Sequence, residues 1–151
     1  KLMVQMRADI DNVVAKENIL IMATSHRPHL LHYSLRRPGR FDKLFYVPPP
    51  NQEAREKIFA IYLKYIPLAP DVDGRTLKEL AVRSDNYSSA DIAAVVDEAK
   101  LMAVINATDI TKRFVSREHL FSALERVESS VTPEDIESAM NFMKVYKARK
   151  T

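Results

Sequence analysis

Arg37 and Arg40 bracket Pro38 and Gly39 within the stretch Ser34-Leu-Arg-Arg-Pro-Gly-Arg-Phe-Asp42. Proline fixes φ at one turn position, and glycine takes whatever conformation the next one needs. Both guanidiniums are therefore expected on a stiff bend. Each is permanently charged and presents a flat fork of donors, a geometry that suits phosphate oxygens better than two flexible lysines would. Three basic residues in a turn also describe an ordinary solvated bend, so the surroundings must decide between the two readings.

Other residues with possible chemistry are few. Thr24, Ser25 and His26 follow the apolar run Ile19 to Ala23, and catalytic groups in open α/β sheets collect just past the carboxyl ends of such strands. His29 and His32 come next at three-residue spacing, but Pro28 interrupts them and no cysteine or nearby acid completes the three or four ligands of a zinc site. Ser88-x-x-Asp91 reads as a capping box, and a helix start leaves free N–H groups and a favourable dipole for a ligand.

Composition removes several classes. The 151 residues amount to one domain or two small subdomains, with a hydrophobic share of 46% and a charged share of 28%, ordinary for a globular protein. Net charge is +3, a small excess that does not imply nucleic-acid binding. There is no cysteine, which removes disulfide and thiolate chemistry and fits a reducing compartment. No apolar run of about 18 residues marks a membrane span. The only glycines are Gly39 and Gly74, so a phosphate-cradling G-x-x-x-x-G-K-[ST] loop is absent. No apolar run ends in the Asp-Glu pair that binds magnesium and activates water. The chain opens at Lys1 without methionine, as a segment of a longer protein does, and alone it is expected not to hydrolyse ATP.

The elements that would position these groups are readable from periodicity. Leu2, Met3, Met6, Ile10, Val13 and Val14 carry a loose helical spacing broken by the polar segment 9–12. Ile19 to Ala23 predicts a parallel strand buried on both faces. Phe45 to Val47 predicts a second short strand, ended by Pro48, Pro49 and Pro50, which cannot donate ladder bonds. A boundary there divides an α/β part, 1–50, from a helical part, 51–151. Asn51 caps a helix expected to reach about Ile66, with Ile58, Phe59, Tyr62 and Ile66 on one face. Thr76-x-x-Glu79 predicts the start of a second helix packing Leu77, Leu80 and Ala81. The third follows Ser88 and carries the stripe Ile92, Val95, Val96, Ala99, Met102 and Ala103. Ser116 starts a fourth that buries Leu120, Phe121 and Leu124. Thr132-Pro-Glu-Asp135 opens the last, with Ile136, Ala139, Met140 and Met143 inward and a basic end.

In order along the chain, these segments resemble the AAA+ ATPases, and more narrowly the second ATPase module of valosin-containing-protein-like unfoldases. The resemblance rests on Thr24-Ser-His-Arg-Pro-His-Leu-Leu31, Leu35-Arg-Arg-Pro-Gly-Arg-Phe-Asp42, Pro67-Leu-Ala-Pro-Asp-Val-Asp73, Tyr87-Ser-Ser-Ala-Asp-Ile92 and Ser130-Val-Thr-Pro-Glu-Asp-Ile136. It implies the C-terminal part of a P-loop NTPase parallel-sheet domain followed by a four- to five-helix lid. Arg37 and Arg40 match the family's arginine fingers, which reach the nucleotide held by a neighbouring subunit. Arg36 stands where the family tends to have an aliphatic residue and reads as a surface charge. His26 stands where the family has a sensor asparagine; an imidazole can still hold a water but differs in bulk and titration. Ser89-Ala90-Asp91 stands where family members have a Gly-Ala-Asp segment whose backbone touches the adenine, so Ser89 replaces the glycine. Implied cofactors are ATP or ADP with Mg2+ in the complete module, with none bound tightly by this chain alone. Implied partners are identical AAA+ subunits in a ring, a hexamer, acting on protein substrates in the cytoplasm, without specific nucleic acid or membrane. The departures at His26 and Ser89 keep open a catalytically degenerate scaffold or interaction module.

Overall fold

In the computed structural model, residues 2–14, 16, 18–107 and 113–148 are described, and their regular structure is helical. α1 spans Leu2–Val14, and 3-10 helices cover Pro28–Leu30 and Tyr33–Arg36. There follow α2 (Gln52–Leu63), α3 (Gly74–Arg83), α4 (Ser89–Asn106), α5 (Arg117–Arg126) and α6 (Pro133–Ala148). The chain divides into two units, residues 48–133 and residues 1–47 with 134–151.

In the 48–133 unit, α4 is the central element. Ile92, Val95 and Ala99 are fully buried, with Val96, Met102 and Ala103 nearly so, at the spacing that lines one broad helix face. α4 packs on α2 and α5, and α3 packs on α2 and α5. Phe59, Leu80 and Leu120 fill the space between them at 0% exposure. Each helix start is specified locally: Asn51 accepts from the Ala54 N–H at 2.9 Å, and Ser88 and Ser116 form capping boxes with Asp91 and His119. A single parallel bridge joins Leu68 and Val115, with the Val115 N–H donating to Pro67 at 2.9 Å and the Ala69 N–H to Val115 at 3.0 Å. The Tyr87 hydroxyl donates to the carbonyls of Leu124 and Val127, tying the start of α4 to the end of α5.

The other unit holds α1, the two 3-10 helices and α6. Its buried groups include Ile10, Ser34 and Leu35. On α6, Ile136, Ala139, Phe142, Met143 and Tyr146 form the half-buried face, and the Tyr146 hydroxyl donates to the Asp42 carbonyl. Met140, expected inward, is 47% exposed.

Several expectations need correction. No parallel sheet is present among the described residues: 19–23 and 45–47 carry no ladder, and Leu20, Met22, Phe45 and Val47 are each more than 80% exposed. A short apolar run becomes a parallel strand only when neighbouring strands pair with it and helices cover both faces, and no described segment does either here. α1 runs through the polar segment 9–12 without a break. α2 stops at Leu63 rather than Ile66, in turns closed by Lys64 N–H to Ile61 and Ile66 N–H to Leu63. The cap of α3 lies three residues before the expected Thr76: Asp73 accepts from the Thr76 N–H at 2.9 Å, and Thr76 is the third helical residue. Arg36 is not a plain surface charge, since its guanidinium lies 5.3 Å from the Phe142 ring centroid.

Candidate functional site

The bend between Arg37 and Arg40 is a four-residue turn closed by the Arg40 N–H donating to the Arg37 carbonyl at 3.2 Å. Pro38 takes the second position and Gly39, at φ +85°, the third, the arrangement of a type II turn. A Cβ at Gly39 would meet nothing within 4 Å, so backbone conformation alone calls for glycine here. Ser34 and Leu35, at 3% and 2% exposure, anchor the segment from inside. The Phe41 N–H returns to the Leu35 carbonyl at 3.1 Å.

The two arginines are held differently. Arg40 donates from Nε and Nη2 to the two carboxylate oxygens of Asp11, each at 2.6 Å, and from Nη1 to the Ser34 carbonyl at 2.7 Å. That fork holds the Asp11 carboxyl below its ordinary range, chiefly through the hydrogen bonds from Arg40, and raises the guanidinium in turn. Arg37 is exposed, its guanidinium 5.2 Å from the centroid of the Tyr33 ring. The two share one turn, and of the pair Arg37 is the group that reaches solvent.

His26 stands on an exposed bend, after Ser25, whose hydroxyl accepts the Arg27 N–H at 3.1 Å. His32 caps the following 3-10 helix, its Nδ1 accepting from the Ser34 N–H at 3.2 Å and lying 2.7 Å from the Ser34 hydroxyl. Among the described residues, no three of His, Asp or Glu gather as metal ligands do.

In the 48–133 unit, Ser89 and Ala90 are the first two residues of α4 and are exposed. Their N–H groups have no intrahelical acceptor. Asp91 turns the other way, 7% exposed. It accepts from the Ser88 N–H at 2.8 Å, the Ser130 N–H at 3.2 Å and the Ser130 hydroxyl at 2.9 Å. Burial raises its carboxyl pKa, but these hydrogen bonds outweigh burial and the net shift is downward.

Sequence reasoning missed Asp11, Tyr33 and Arg55. Arg55 is 6% exposed; Nε and Nη2 donate to the Ala81 carbonyl at 3.1 and 2.9 Å, and Nη1 donates to Pro50 at 2.9 Å. It satisfies a carbonyl in the last turn of α3 that the helix itself leaves open. The available signal was its spacing: Arg55, Phe59 and Leu63 lie four residues apart on the buried face of α2. Asp11 was hidden inside a polar segment read only as an interruption.

Residues 71–138 match the family model described as the AAA+ lid domain. This stretch is an AAA+ lid domain. It is 33% identical to Protein SAV of Sulfolobus acidocaldarius over 93% of its own length and 19% of that protein. It is 34% identical to the Cell division cycle protein 48 homolog of Archaeoglobus fulgidus over 88% of its length and 19% of that protein. With the human ATPase family gene 2 protein homolog A it shares 33% identity over 99% of its length and 16% of that protein. The chain thus spans less than a fifth of the length of these relatives. No helix among its described residues is long and apolar enough to cross a membrane.

Proposed function

We propose that this chain is the C-terminal segment of an AAA+ ATPase that couples ATP hydrolysis to unfolding or remodelling of proteins in a hexameric cytoplasmic ring. In this reading residues 1–50 close the nucleotide-binding subdomain and 51–151 form the lid. Arg37 and Arg40 act in trans, His26 occupies the sensor position, and Ser89 and Ala90 face the nucleotide. The carrying observation is the glycine-dependent turn that keeps Arg37 in solvent while Arg40 is fixed by Asp11 and the Ser34 carbonyl. An arginine so placed can neutralise charge that develops on a transferring phosphoryl group in an adjoining subunit.

The α4 start fits an adenine better than a phosphate. Its first N–H groups are open, while the Asp91 carboxylate beside them is committed to Ser88 and Ser130. ATP with Mg2+, bound in the complete module, would supply the phosphoryl group. This chain's own contribution is to place Arg37, to fix Arg40 and to offer the Ser89 and Ala90 N–H groups to the base edge.

A second reading, a catalytically degenerate scaffold, is favoured by the engagement of Arg40 within its own chain. One experiment separates the two. ATPase activity of the complete polypeptide is expected to fall roughly 10³- to 10⁵-fold with Arg37→Ala. Arg40→Ala should also lower it, and mixing either variant with a phosphate-loop mutant should restore part of the turnover. A complete polypeptide that hydrolyses no ATP would leave the scaffold reading standing, and unchanged hydrolysis in both variants would remove the trans-arginine assignment.

A further inference from the structure

We infer that Tyr33 is a positioning residue for Arg37, holding its guanidinium in the orientation from which it enters a neighbouring subunit's nucleotide pocket; this rests on the trans-arginine reading above. Tyr33 opens the 3-10 helix Tyr33–Arg36, which is capped by His32. Burial of the next two residues, Ser34 and Leu35, turns the opposite side of that helix outward, and Tyr33 is left 60% exposed. A tyrosine so exposed adds little to the core. Yet one face of its ring carries the Arg37 guanidinium at 5.2 Å, and the His32 ring flanks it at 4.6 Å, tilted by 33°.

The three arginines of this segment show three kinds of hold. Arg40 is locked by a bidentate carboxylate and a carbonyl. Arg36 lies over Phe142. Arg37 rests on a solvent-facing ring, where a cation–π contact shifts an orientational equilibrium by only about two- to five-fold. Such a contact narrows the directions a long side chain samples and still lets it leave. A carboxylate in the same place would hold the charge back from a phosphate. Because an arginine finger acts on charge that appears in the transition state, losing its orientation lowers kcat and leaves KM where it was.

The test uses steady-state ATPase kinetics of the complete polypeptide. Tyr33→Leu is expected to lower kcat about two- to five-fold with KM unchanged and an unaltered thermal midpoint. Tyr33→Phe, which keeps the ring face, should return kcat to the parental value. In an Arg37→Ala background, Tyr33→Leu should add no further loss. Parental kcat in Tyr33→Leu, a change confined to KM, or an additive loss in the Arg37→Ala background would each overturn the assignment. Failure of the underlying reading looks different: Arg37→Ala itself would then leave turnover intact.

Discussion

Asp91 shows how one side chain can serve two elements at once. Its carboxylate completes the capping box of α4 and reaches across to Ser130 in the segment before α6. Because its folded pKa lies below the unfolded value, the stability it contributes is fully present above about pH 4 and is lost as pH falls through the folded value. Asp91→Asn is expected to cost about 1–2 kcal/mol near neutrality in urea unfolding and to flatten the acid limb of the stability curve. A variant whose acid limb matches the parent would show that the hydrogen bonds, rather than the charge, carry the effect. Gly39 makes a narrower case. At φ +85° with open space around it, Gly39→Ala should destabilise its turn by about 1 kcal/mol through backbone strain alone, seen as faster amide exchange at Arg40.

At the scale of elements, the helices of the 48–133 unit stand on a small number of large side chains. Phe59 is fully buried against this core, so Phe59→Ala should cost about 3–5 kcal/mol by calorimetry or denaturant. Much of this was legible beforehand. The α4 stripe from Ile92 to Ala103 announced itself by spacing, and Asn51, Ser88 and Ser116 announced their helix starts by cap chemistry. The start of α3 misled because Asp73 and Thr76 are both competent caps, and only the geometry shows Thr76 serving as the third residue of the earlier box. The strand expectations failed for a different reason: Ile19 to Ala23 has the composition of a buried strand, but pairing partners are a property of the surrounding chain and not of five residues. At the candidate site, the turn at Pro38 and Gly39 was readable from residue type. Asp11 and Tyr33 were not, since nothing local to either says which arginine it will meet.

For the whole molecule, the division at Pro48 and Pro133 carries its own prediction. Residues 48–133 hold a continuous apolar cluster from Phe59 to Leu124, and expressed alone they should unfold in one cooperative thermal transition. A broad, non-cooperative melt would mean that this core depends on residues outside it. The buried Arg55 belongs to the same scale, because it fastens the entry at Pro50 to the end of α3 through three donors. Lysine cannot reproduce that fork. Arg55→Lys should therefore lower the melting temperature of the isolated 48–133 segment despite conserving charge.

Tyr87 gives this lid an optical signature. The chain has six tyrosines and no tryptophan, so its near-ultraviolet spectrum is largely phenolic. Burial, then the nearby Asp91 and Glu128 carboxylates, push the Tyr87 hydroxyl above its usual range. The proton it donates to two backbone carbonyls is therefore released at higher pH than that of an unperturbed phenol. During a base titration the phenolate absorbance of Tyr87 should appear at the alkaline end of the curve, and Tyr87→Phe should erase that last increment.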